Sequence, residues 1–154
     1  MNTPQRSLLK RPMQQAPMQQ AYQKPSGSSC IEQTTLFICE IMNAATAFHK
    51  LHLKVSGPGS FAAHKALNEL YDGLPGFADS IAEGYQGAAE TILNYVECTP
   101  RVLNSVDDAV NYIRELYDMI CALQDIMCYS EISNELDNVK SLLASTKYKL
   151  LFLK

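Results

Sequence analysis

At 154 residues, with 47% hydrophobic content and 19% charge, the chain has the size and composition of one globular domain able to bury a single core. No run of 18 apolar residues occurs, which excludes a membrane-spanning helix, and the polar start around Arg6, Lys10 and Arg11 lacks the apolar stretch of a secretory signal. The net charge of −3 is uneven: residues 1–29 hold four of the 13 basic residues and no acid, leaving nine basic against 16 acidic residues, a charge of −7, in residues 30–154.

Residues 1–29 are rich in Gln, Pro and Ser, contain PMQQ at Pro12 and again at Pro17, and sustain no apolar period. They read as an extended arm, a separate unit from a helical domain over 30–154. The arm's cations Arg6, Lys10, Arg11 and Lys24 can hold nucleic-acid phosphates in a salt-dependent way, or the arm can pack on a neighbouring subunit. The five cysteines, Cys30, Cys39, Cys98, Cys121 and Cys128, are odd in number and form no CxxC pair. They are expected to be reduced thiols of a cytoplasmic protein.

Four long amphipathic helices follow. The first is expected from about Ile31 to Leu53, capped by Ser28 or Ser29, because Ile31, Thr35, Ile38, Met42, Ala45, His49 and His52 recur three or four apart. A turn at Gly57-Pro58-Gly59 leads to a second helix capped by Ser60 and carrying Phe61, Ala62, Leu67, Leu70 and Tyr71. The sequence GLPG at 73–76 predicts a kink or break there, since proline removes a helical hydrogen bond and clashes with the preceding turn. Ile92, Leu93 and Val96 predict a short helix over Ala88–Cys98, ended by Thr99-Pro100. The third long helix starts at a Ser105 cap with Asp107 and Asp108 in its first turn, where negative charge suits the helix dipole, and carries Val110, Ile113, Leu116 and Ile120 inward. The fourth is expected from about Ile132 to Phe152, with Leu136, Val139, Leu142, Leu143 and Tyr148 inward. Helices of this length joined by one long crossover define an all-α, ferritin-like four-helix bundle.

Phosphate-binding loops, dinucleotide fingerprints and nucleophile elbows are missing from the sequence. The chemistry-bearing residues gather instead between Leu51 and Gly87. His52 and His64 stand twelve apart around the glycine turn, Asn68 lies four beyond His64, and Asp79 and Glu83 are four apart, which puts their carboxylates on one helix face. Taken singly, these are ordinary polar residues of a turn and a helix. His49, one turn before His52, can join the same face, but a lone extra His is more often a surface or supporting residue than a ligand.

In order and spacing this stretch resembles Dps, the mini-ferritin family, whose pattern is a His, a second His twelve on, an acid four beyond it, then an Asp and a Glu four apart. His52, His64, Asp79 and Glu83 match, as does the text GPGSF at Gly57–Phe61. Asn68 departs from the family's acid, Leu53 from its Trp, and Gly84 from its Arg. A short helix in the crossover is a further feature of the family, whereas the GLPG interruption is not. The resemblance implies a homo-oligomeric shell of twelve subunits whose metal site lies across a two-fold axis. In it His52, His64 and Asn68 face Asp79 and Glu83 of a second chain, to bind Fe(II) and oxidise it with oxygen or peroxide. The loss of one anionic ligand at Asn68 implies weaker binding, or zinc at the same place. A competing expectation is a structural or assembly protein, such as a phage virion component, that keeps the bundle without ferroxidase activity. The Gln-rich arm, Asn68 and GLPG favour it, and the protein would then belong in a virion rather than the cytoplasm.

Overall fold

The computed structural model describes residues 29–153, and the arm with Arg6, Lys10, Arg11 and Lys24 lies outside them. Four helices make up the fold: α1 Cys30–His52, α2 Ser60–Ala89, α3 Val106–Gln124 and α4 Ser130–Phe152. No strand occurs among the described residues, so the expected four-helix bundle is the architecture. Each helix packs mainly on two others, α1 on α2 and α3, and α4 on α2 and α3. The long crossover returns the chain to the end of the bundle where α2 began, as the bond from Lys54 Nζ to the Leu103 carbonyl at 2.8 Å records.

Local chemistry accounts for the helix starts. Ser29 and Glu32 form a reciprocal capping box on α1, as Ser105 and Asp108 do on α3, so main-chain donors that no helical carbonyl can reach are satisfied. The cap of α2 is Gly59 rather than Ser60, which is the first helical residue. Gly59 and Gly57 both sit at positive φ, 78° and 84°, where side chains are strained. On α1 the expected Thr35, Ile38, Ala45 and His52 are buried, and the buried face widens beside them to Phe37, Ile41, Ala44, Phe48 and Leu51. Met42 is 55% exposed, and so is Tyr148 on α4, where Thr146 and Leu150 are buried instead.

The expected break does not occur: helix α2 runs unbroken through Gly73-Leu74-Pro75-Gly76. Leu70, Leu74 and Ala78 are buried along its inner face, while Pro75 and Gly76 are exposed. Burial of three consecutive inward turns holds the helical path against the roughly 3 kcal/mol proline penalty. The short helix over 88–98 does not form: Ala88 and Ala89 end α2, Glu90 caps it at φ 49°, and residues 92–104 carry no helix. Of the apolar residues that suggested it, Leu93 is buried while Ile92 and Val96 are 80% and 45% exposed, so a helix here would have no face to bury.

The crossover is instead a strap bonded to its neighbours. Leu93 N–H donates to Gln86 Oε1 at 3.0 Å, and Asn43 Nδ2 donates to the Cys98 carbonyl at 3.0 Å. Cys39 and Cys98 form a disulfide, a pairing that corrects the expectation of reduced thiols throughout. Arg101 Nη2 reaches Glu40 Oε1 at 3.0 Å and also pairs with Glu115, while its guanidinium lies 4.2 Å over the Tyr112 ring. Tyr112 in turn donates its hydroxyl to Glu40 Oε1 at 2.9 Å, so the buried Glu40 carboxylate has partners from both the strap and α3.

Candidate functional site

The turn between α1 and α2 brings His52 and His64 into contact. Their rings stack with centroids 3.7 Å apart and planes 24° from parallel. His52 Nδ1 lies 3.0 Å from the His64 carbonyl oxygen, and His64 Nδ1 lies 3.2 Å from the His52 carbonyl oxygen. A carbonyl only accepts, so both Nδ1 atoms carry the proton. In the neutral rings the lone pairs are then on Nε2, the tautomer that metal-binding histidines adopt when a main-chain carbonyl orients them. His52 is 7% exposed and His64 is exposed, so one ring is anchored in the bundle and the other faces outward.

Tyr71, read from sequence only as an apolar position, joins these two rings to the rest of the cluster. Its ring stacks on His49 at 4.0 Å and meets His52 edge-on at 5.1 Å. Its hydroxyl donates to Asn68 Oδ1 at 3.0 Å. Asn68 can bind a cation only through that oxygen, and Tyr71 already occupies one of its lone pairs. Tyr71 lies three residues beyond Asn68 and seven beyond His64, a helical spacing that could have revealed it.

Asp79 and Glu83 are both exposed and lie farther down α2. Fifteen residues of continuous helix separate Asp79 from His64, about 22 Å along the axis. Within one chain, therefore, the structure gathers His49, His52, His64, Asn68 and Tyr71 but not the acid pair. Among the described residues no group of three His, Cys, Asp or Glu side chains converges to hold a metal. The donors fit a metal centre only as two half-sites, two imidazoles at one end of the α1–α2 face and two carboxylates at the other.

Beside Asp79 the strap stands off the helices and leaves a groove of about 660 Å³ between Met42 of α1, Ala78 and Ala82 of α2, and Tyr95 and Val96 of the crossover. A second cavity of about 500 Å³ lies at the turn end of the bundle, between Lys54, Pro58, Asp107 and Leu150.

Fold and site together define a four-helix bundle protein with a paired-histidine cluster on its α1–α2 face. The profile of DUF5856, described as a family of unknown function, matches residues 52–150, and the chain belongs to that family. The matched region opens on His52 and takes in all five candidate ligands, the strap, α3 and most of α4. No curated protein and no solved structure matches the chain.

Proposed function

We propose that the protein is a Dps-like mini-ferritin that takes Fe(II) as substrate at a site shared between two copies of the chain. His52 and His64 of one copy supply Nε2 lone pairs, and Asp79 and Glu83 of the second supply carboxylate oxygens. Imidazole and carboxylate are the donor types that suit Fe(II) while leaving positions for an oxidant, oxygen or peroxide, to accept its electrons. The observation that carries this is the reciprocal pair of Nδ1–carbonyl bonds at 3.0 and 3.2 Å, which fixes both rings in the ligating tautomer. The separation of the acid pair from the histidines along α2 supports a second copy as its source. A closed shell of such pairs would store the ferric product, with the N-terminal arm packing against neighbouring subunits or gripping DNA. With a neutral amide at Asn68 the site has one charge fewer than the family pattern, so zinc is a competitor for it.

The test is subunit complementation. His64→Gln and Glu83→Gln chains should each bind no metal at this site and oxidise Fe(II) no faster than buffer. Co-refolded in equal amounts, half of the two-fold pairs contain one chain of each kind and regain one of two sites, so about a quarter of wild-type occupancy should return. Full metal binding by either single variant would overturn the proposal, as would no recovery on mixing.

A further inference from the structure

The α1–α2 face bears exposed apolar side chains at two separated places. Near the histidines, Leu53 and Phe61 are 73% and 76% exposed; around the groove, Met42, Tyr95 and Val96 are 55%, 52% and 45% exposed. Charge is divided in the same way. Lys50, Lys54 and Lys65 flank the histidine end, whereas Asp79, Glu83 and Glu97 stand at the groove end. A face with a basic, aromatic-bearing end and an acidic, grooved end is complementary to itself after a half-turn rotation.

The register of that rotation can be set from α2. If His64 of one copy lies opposite Asp79 and Glu83 of the other, the axis crosses α2 midway, close to Asp72 and Gly73. Phe61, one turn before His64, then falls within about one turn of Ala82 in the second copy, on the wall of the groove. The same register sets Pro75 and Gly76 within about one turn of the axis. Both are exposed, and a Cβ built on Gly76 would meet nothing within 4 Å among the described residues, so contacts with them give no reason for a glycine there. Close approach of a second α2 does give one.

We propose that the groove between Met42, Ala82, Tyr95 and Val96 is the socket for Phe61 of a second copy, reciprocally in both directions, with α2 crossing its copy close to Asp72 and Gly73 and Pro75-Gly76 within a turn of the crossing. This deepens the shared-site reading, on whose register it rests. A phenyl ring at the start of α2 would close the groove while the neighbouring His64 meets the acid pair, so the apolar contact sets the spacing of the metal ligands.

The test keeps assembly and metal apart. With p-benzoylphenylalanine in place of Phe61, irradiation of the full chain in chelator should cross-link two copies, with position 61 joined to residues 78–82 or 95–100. Phe61→Asp, and from the socket side Met42→Asp, should weaken self-association at least tenfold by light scattering, while Phe61→Leu retains it. Cross-links that map elsewhere, their absence, or wild-type association of both Asp variants would overturn the inference. Metal occupancy is measured separately. If the socket cross-link forms and no metal binds, the shared-site reading falls and the socket stands; if metal binds and the cross-link maps elsewhere, the reverse holds.

Discussion

Tyr71 donates its hydroxyl to Asn68 Oδ1 at 3.0 Å while its ring packs between His49 and His52, so the only cation-binding atom of Asn68 is held by a neighbour on its own helix. A carboxylate at this position could accept the same hydrogen bond and still present a charged oxygen. Asn68→Asp is therefore expected to raise Fe(II) or Zn(II) affinity several-fold in a competition titration, with no comparable gain from Asn68→Ala. If the Asn68→Asp variant lost stability without gaining metal, the position would be a neutral packing site.

His52 and His64 differ in burial, so their alanine variants should differ in stability while sharing the loss of metal. Removing the 7% exposed His52 ring leaves a gap against Tyr71 and His64, which should cost about 1–3 kcal/mol. Removing the exposed His64 ring should cost under about 1 kcal/mol. Denaturant unfolding followed by helical circular dichroism gives the difference, and equal costs would argue against the anchored-and-outward arrangement.

Glu40, Arg101 and Tyr112 make the strap and α3 depend on one buried carboxylate. Tyr112→Phe keeps the ring under Arg101 but takes a donor from Glu40, and should cost about 1–3 kcal/mol. Burial, and then the Glu40 carboxylate, push the Tyr112 phenol well above its ordinary range; burial and a hydrogen bond with Cys30 push Tyr85 up to about 12. Both groups hold their protons more tightly when folded, so their stabilisation is complete below the unfolded tyrosine value near 10 and is lost as pH rises beyond it. Stability should therefore fall between about pH 10 and 12, and less steeply in Tyr112→Phe.

The Cys39–Cys98 bond closes a loop with a sequence separation of 59. Cys98→Ser should lower stability by about 2–4 kcal/mol through greater freedom of the unfolded chain. A dithiol reductant should lower the melting temperature of the wild type and leave that of Cys98→Ser unchanged. Equal sensitivity of the two would place the reducible bond elsewhere.

What the sequence determined by itself was local. Apolar residues three or four apart gave the helices, Ser29 and Ser105 gave two of their starts, and the four-residue spacing of His64 and Asn68 put them on one face, because a helix fixes neighbours within two turns through its own backbone. Tertiary structure decided the rest. Leu74 buried against the other helices keeps α2 intact through Pro75, where local rules predict a break. Gly84, at the position where the resembled family carries Arg, lies so close to α4 that an added Cβ would come 2.7 Å from Ile132 Cδ1. The strap forms no helix because its residues are held one at a time, Cys98 by Cys39 and Asn43, Arg101 by Glu40, and Leu103 by Lys54. Each of these partners lies 49 residues or more away along the chain, beyond the reach of any periodicity. They meet only after the bundle has closed and the cost of ordering the crossover has been met by contacts with α1.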